Sequence, residues 1–252
     1  MEEPEKQILE SLDCFDFRLR PFIPYLLQDL WEIGSSSKKI LKVIKRNNLD
    51  KQQLKILDIG CGKGAISIPI AKELNAEVVG VDGMPEFIEE ADDKAKIFNV
   101  EKLCRFICGD AQEIIKDLSD FNLVLLASVG SILGDISQSL SRIEKCLNSD
   151  GYLILDDCFL PDESTSNYSR CLRESEFFKQ IKESNFSVID KSIQSPDDTA
   201  ETDDFIYNKI EMRAKELSIK YPDKKELFKS YLAAQGKEND ALENELQGIT
   251  IL

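Results

Sequence analysis

The stretch "KILDIGCGKGA", Lys55 to Ala65, places one carboxylate, Asp58, at the end of an apolar run and follows it with glycines at positions 60, 62 and 64. A turn built from Gly60, Gly62 and Gly64 lets the backbone bend tightly and lets a ligand approach without meeting a Cβ. A helix starting after such a turn offers free N–H groups and a positive dipole end, which favour a carboxylate or phosphate. Asp58 would accept from a cationic or donor-rich part of the same ligand. A loop that suits both a carboxylate and an ammonium suits an amino acid moiety. Two further acids extend the pattern. Asp82 closes "EVVGVD" about twenty residues after the glycine turn, the place from which a carboxylate can take both hydroxyls of a ribose. Asp110 closes "CRFICGD", where its side chain could hold an exocyclic adenine amine while the Ala111 N–H meets a ring nitrogen. Each acid alone also fits a turn or a helix cap. Three of them at successive strand ends favour a shared site.

The elements that must position these residues alternate. "KILDIG", "EVVGVD", "CRFICGD", "FNLVLLAS" and "GYLILDD" are short runs rich in Val, Ile, Leu and Phe, separated by helical-period segments such as "PEFIEEADDKAKIF" and "DISQSLSRIEKCL". Nearly continuous apolar strands between helices predict a parallel sheet covered on both faces. Pro85 suits the first turn of its helix, whereas Pro69 is expected near the end of a first turn, where it can kink the rest of its helix. The aromatic segment "CFDFRLRPFIPYLLQDLWEI" precedes this core, and its Phe15, Phe17, Tyr25 and Trp31 read either as a lid over a ligand or, better, as helix stripes packed on the sheet edge. Arg18 and Arg20 are expected at the surface. After the core, "EFFKQIKES" reads as a helix and "FSVIDKSI" as a sixth strand. "QSPDDTAETDD" reads as an acidic linker, and "DKKELFKSYLAAQ" as a helix opened by Asp223 and Glu226 at capping-box spacing. The predicted boundaries are 1–50 for an N-terminal helical cap, 51–195 for the core and 196–252 for a helical insertion with a final strand, "GITIL".

Composition excludes whole classes. A net charge of -15 and an isoelectric point near 4.6 disfavour nucleic acid and anionic membranes, and a small-molecule or a cationic partner fits better. No apolar run reaches membrane-span length. The seven cysteines are scattered and the acidic start lacks a signal-peptide layout, so a reducing, cytoplasmic setting is expected. Cys104 and Cys108 read as buried fillers, no pair has zinc-site spacing, and no metal is expected. There is no histidine. Imidazole-based nucleophile activation and H-E-x-x-H metal chemistry are therefore ruled out.

The motifs "ILDIGCGKG", "VVGVDGMPEFIEEA" and "FICGDAQEI" resemble those of class I S-adenosylmethionine-dependent methyltransferases, over residues from about 54 to 160. The resemblance implies a Rossmann-like, doubly wound α/β fold whose mostly parallel, seven-stranded sheet ends in an antiparallel strand. It also implies S-adenosyl-L-methionine as cofactor. Carried over by position, Asp58, Gly60, Cys61, Gly62 and Gly64 would surround the amino acid end of the cofactor. Asp82, Gly83 and Met84 would serve ribose and adenine, Asp110 and Ala111 adenine, and Ser128 the neighbourhood of the sulfonium. Cys61 would matter for its small size, and Lys63 is expected to face solvent. The acceptor site is expected on or after the fifth strand, where Asp156, Asp157, Asp162, Glu163 and Tyr168 lie. Asp157 or Asp156 would there orient or deprotonate an amine, the alternative being a solvated turn. "GCGKGA" also satisfies the dinucleotide pattern, so a nicotinamide-dependent oxidoreductase is the main rival. It is weakened by Asp58, which would face a pyrophosphate, by "GDA" on the third strand and by the absence of a histidine proton donor. A protein that holds the cofactor without transfer, and one that transfers an aminopropyl group, are further alternatives.

Overall fold

The computed structural model describes residues 3–51, 53–166 and 168–252, residues 3–4 and 196–201 by their backbone only. The chain opens with helices α1 (Glu3–Glu10), α2 (Ile23–Leu26) and α3 (Ser37–Arg46), with a 3-10 turn at Phe17–Phe22. Strand and helix then alternate: β1 (Lys55–Ile59), α4 (Ser67–Leu74), β2 (Glu77–Asp82), α5 (Pro85–Ile97), β3 (Cys104–Cys108), α6 (Ala111–Ile114), β4 (Phe121–Ala127), α7 (Ile136–Glu144), β5 (Leu147–Phe159) and α8 (Glu174–Lys182). Strand β6 (Lys191–Ile193), the long helices α9 (Pro196–Lys220) and α10 (Lys225–Asn244), and β7 (Gln247–Ile251) complete it.

The strands form one seven-stranded sheet in the order β3-β2-β1-β4-β5-β7-β6. All pairings from β3 to β5 are parallel, and β7 runs antiparallel to both β5 and β6. Period-two alternation sends Ile56, Val78, Leu123 and Ile154 to the face covered by Ile40, Ile44, Ile68 and Ala71. Leu57, Val81, Val124 and Leu155 go to the opposite face, against Leu140, Ile143 and Phe177. Winding reverses between β1 and β4, so the C-terminal ends of these strands open the crevice expected of such sheets. A third core joins the N-terminal segment to the late helices: Leu9, Leu19, Ile23 and Leu26 pack with Ile210, Ala214, Leu217, Phe228 and Tyr231.

Several expectations are corrected. The acidic stretch at 194–204 is not a linker; helix α9 begins there, with Pro196 at its first position. A helix anchored downstream by Ile210, Ala214 and Leu217 propagates back to a proline whose missing N–H costs nothing there. Asp223 and Glu226 form no capping box, because they pair with Lys224 at 2.8 Å and Lys229 at 2.7 Å. Only Lys191–Ile193 of "FSVIDKSI" is strand, a short edge of the kind that resists edge-to-edge aggregation. Cys108 is exposed, whereas Cys104 is buried. Pro69 stands near the end of the first turn of α4, where it is expected. No helix among the described residues is long and apolar enough to cross a membrane.

Candidate cofactor crevice

Asp58, Asp82 and Asp110 all line one crevice at the C-terminal ends of β1, β2 and β3, enclosing about 970 Å³ with its open mouth. Gly60, Cys61, Gly62, Gly83, Ala111 and Ser128 line it as well.

Asp58 is 2 % exposed and accepts from the Ser67 hydroxyl at 2.5 Å. Burial pushes its carboxyl up to about 6; the Ser67 bond opposes the rise and the nearby negative charge of Asp82 adds to it. A buried carboxylate with one neutral partner is poised to take a cationic ligand group. Asp82 accepts the Gly62 N–H at 2.9 Å on one oxygen and the Met84 N–H at 2.8 Å on the other. Burial raises its pKa, and the Met84, Gly62 and Gly83 amides hold the rise back. Each oxygen keeps a lone pair beyond its amide bond. Asp110 caps α6, accepting the Gln112 N–H at 2.9 Å on Oδ1. The helix-cap reading of Asp110 is thus correct for Oδ1.

Gly60 has φ +74°, and a Cβ there would lie 2.3 Å from Val129 Cγ1, so only glycine lets β1 turn beneath Val129. Gly62, at φ +51°, has nothing within 4 Å of a built Cβ and leaves its side of the loop open. Gly64 does not line the crevice; its Cβ position is 2.9 Å from Ile68 and 3.1 Å from Phe106, within the packed core. Cys61 is buried, and burial, with the charges of Asp82 and Asp58, pushes its thiol well above the ordinary range, which makes it an inert filler. Met84 is 2 % exposed within the third core and does not line the crevice, so its contribution is its N–H to Asp82. Ser128 holds a left-handed backbone at φ +55° while its N–H donates to the Asp156 carbonyl at 2.8 Å. A non-glycine residue in that region stores strain, which often accompanies function.

The proposed acceptor acids stand elsewhere. Asp156 is 1 % exposed and surrounded by Lys39 Nζ at 2.9 Å, Thr250 Oγ1 at 2.6 Å and Gln194 Nε2 at 3.3 Å. Asp157 points to the opposite face and accepts the Cys158 N–H at 2.8 Å; burial raises its carboxyl to about 6. Neither lines the crevice. Asp162 accepts from Ser175, and Tyr168 donates to Glu238, again outside it. Among the described residues the crevice therefore holds no carboxylic acid other than Asp58, Asp82 and Asp110.

Lys63 does not face solvent. It is 2 % exposed, donates to the Leu27 carbonyl at 2.7 Å and pairs with Glu90 at 2.9 Å. Burial lowers its pKa, and Glu90 opposes that. The Trp31 indole N–H donates to the Lys63 carbonyl at 2.9 Å, and its ring stacks on Phe98 at 5.2 Å. Trp31 thus both packs the sheet edge and lines the crevice, while Phe15 and Tyr25 are exposed. Arg20 forms a two-pronged pair with Glu86, and Arg18 pairs with Asp16. Sequence reasoning missed Gln7, Ile8 and Ser11 of the N-terminal segment and Gly34 and Ser35 before α3, all of which line the crevice. Helix α1 lies so close that a Cβ on Gly83 would meet Ile8 at 2.1 Å. The helical spacing of Ile8, Leu9 and Leu12 was the available signal.

A family model described as a methyltransferase domain matches residues 50–236. The chain is 31 % identical over 112 residues, 44 % of its length, to an uncharacterised RNA methyltransferase of Gloeobacter violaceus, covering 23 % of that protein. It is 32 % identical over 120 residues, 47 % of its length, to a ubiquinone biosynthesis O-methyltransferase of Pelagibacter ubique, covering 48 % of that protein. The chain thus spans less than half the length of either curated relative. Among solved structures, an SAM-dependent methyltransferase from Geobacter sulfurreducens in complex with S-adenosyl-L-homocysteine superposes with a TM-score of 0.76 at 14 % identity, covering 92 % of this chain and 96 % of that one. That likeness is one of fold.

Proposed function

Since the chain belongs to the methyltransferase domain family, we propose that it is a class I S-adenosylmethionine-dependent methyltransferase acting on a small-molecule acceptor. The observation that carries the reading is the convergence of Asp58, Asp82 and Asp110 with the glycine loop on one crevice. In the sheet order β3-β2-β1-β4, these acids suit adenine at Asp110, ribose at Asp82 and the amino acid end at Asp58. The same arrangement disfavours a dinucleotide, because buried Asp58 would face a pyrophosphate.

When bound, S-adenosylmethionine supplies a methyl carbon made electrophilic by its sulfonium. The chain's own part is to fix geometry and exclude water, which can supply much of the acceleration for in-line transfer. Asp82 and Asp110 hold the nucleoside, and Asp58 takes the ammonium. Ile8 and Leu12 cover the crevice from the N-terminal side, and Val129 and Ile132 from the β4 side. Among the described residues no side chain in the crevice is placed as a dedicated base, so the acceptor is expected to arrive as a competent nucleophile. Lys63 is the one cation among the described lining residues, and its ammonium is turned away toward Leu27 and Glu90. A crevice lined in this way, in a chain of net charge -15, supports an uncharged or cationic metabolite over a polyphosphate chain.

Calorimetric titration of the full chain with S-adenosylmethionine, S-adenosylhomocysteine and NAD in parallel tests the cofactor. Binding of the first two, and not of NAD, is expected. Methyl transfer is then followed across amines, thiols, phenols and total RNA. Incorporation into RNA alone would overturn the small-molecule acceptor, and cofactor binding with no turnover on any acceptor would favour a binding protein.

A further inference from the structure

We propose that Cys158 and Cys171 form a reversible redox site: a peroxide oxidises the two thiols to a disulfide, which braces the segment that holds helix α1 over the crevice.

The two sulfurs stand 2.9 Å apart. A disulfide bond is about 2.0 Å long, so the pair has about 0.9 Å left to close. Among the described residues no other two of the seven cysteines are hydrogen-bonded to one another. The approach does not depend on side-chain rotamers alone. Cys158 lies near the end of β5, opposite Gly248 of β7, and the chain returns beside it just before α8. There the Leu160 amide donates to the Leu172 carbonyl at 2.8 Å and the Glu174 amide to the Leu160 carbonyl at 2.9 Å. Both cysteines pack against Leu160, Ala241 and Leu246 and stay partly exposed, within reach of a small oxidant. Cys14, Cys61, Cys104 and Cys146 are buried, and the exposed Cys108 has no thiol bonded to it.

The hydrogen bond with Cys171, and after it burial, hold the Cys158 thiol protonated, so the first attack falls to Cys171. With hydrogen peroxide, the Cys171 thiolate attacks one oxygen and the O–O bond breaks. Cys171 becomes a sulfenic acid, and the departing hydroxide takes up the proton that the thiol had lost, giving water. The Cys158 sulfur then attacks the Cys171 sulfur. The S–S bond forms, the S–O bond breaks, and the hydroxide leaves with the Cys158 proton as a second water. Two thiols give up two electrons and the peroxide accepts them. A small dithiol reverses the step by exchange.

The neighbour of Cys171 transmits the consequence. Arg170 pairs with Glu238 at 2.7 Å and with Asp13, and donates to the Glu10 carbonyl at the end of α1 at 3.2 Å. Ile8, Ser11 and Leu12 from this stretch line the crevice. Tying Cys171 to β5 fixes the backbone from which Arg170 reaches across, and so steadies α1 against the crevice.

The test treats the full chain with hydrogen peroxide and maps its cysteines by mass spectrometry, with Cys158→Ser and Cys171→Ser as controls. Wild-type protein should lose two thiols per chain, gain a Cys158–Cys171 cross-link within the monomer and recover both thiols in dithiothreitol. Neither variant should form that link. The oxidised wild type should melt roughly 5 °C above the reduced form, and its residues 8–13 should exchange amide hydrogens more slowly. Both differences should vanish in Cys171→Ser. No cross-link, a link through Cys108 or Cys146 instead, or a link that leaves the exchange of residues 8–13 unchanged would overturn the proposal. None of these readouts involves S-adenosylmethionine, so such a failure leaves the cofactor reading standing.

Discussion

The Asp82 carboxylate accepts the Gly62 amide at 2.9 Å, tying the end of β2 to the loop that leaves β1. Its other oxygen takes the Met84 amide at 2.8 Å. One side chain therefore both shapes the glycine loop and presents lone pairs to the crevice.

Asp82→Ala should orphan two amides and remove the proposed ribose acceptor together. Hydrogen bonds to a charged group are worth about 1.5–3 kcal/mol, so affinity for S-adenosylhomocysteine should fall by about 10- to 100-fold. Calorimetry reads this directly, and an affinity within twofold of wild type would refute the ribose role.

Binding should also depend on pH. Asp58 titrates near 6 in the ligand-free protein because it is buried, and it must be ionised to hold an ammonium. Affinity should rise as pH climbs through about 6 and flatten above it. With no histidine in the chain, imidazole cannot mimic this profile. Asp58→Asn should bind more weakly and lose the part of the pH dependence near 6. A profile unchanged in that variant would reassign the titration.

Asp156 and Asp157 should shift stability in opposite directions. Asp156→Ala removes the partner of Lys39 and of the buried Thr250 hydroxyl and should destabilise by about 2–4 kcal/mol. The Asp157 pKa of about 6 lies above its unfolded value of 3.8. Its contribution is therefore most favourable below pH 3.8 and is lost as pH rises through 6. Asp157→Asn should accordingly raise the melting temperature at pH 8, with the gain shrinking toward pH 4. Both variants should keep their turnover per folded molecule, and a selective loss in Asp157→Asn would return that residue to the chemistry.

Lys63→Ala should cost about 2–4 kcal/mol in urea unfolding, because it strands the Leu27 carbonyl and removes the buried ammonium that Glu90 faces. Glu90→Gln, retaining an acceptor on a partly exposed side chain, should cost less.

Strand ends and the glycine turn were legible because their signals are local. Asp58, Asp82 and Asp110 each follow an apolar run, and the parallel sheet delivers all three to one edge. Lys63 illustrates the opposite case. Nothing in "GCGKGA" tells that a carbonyl from Leu27 and a carboxylate from Glu90 will meet in one buried spot. Asp156 reads like a strand-end acid, and only the arrival of Lys39 and Thr250 from distant segments makes it structural. The crevice walls supplied by Gln7, Ile8 and Ser35 depend likewise on packing between the chain's first helices and its core.

Strand β7 sits between β5 and β6, although it comes after both of them and two long helices in the chain. During synthesis, β5 must wait with an unpaired flank, and β6 has no neighbour at all until residues 247–251 emerge. A nascent chain halted before that point exposes raw backbone donors and acceptors beside an apolar face, the kind of edge that chaperones shield and that seeds aggregation.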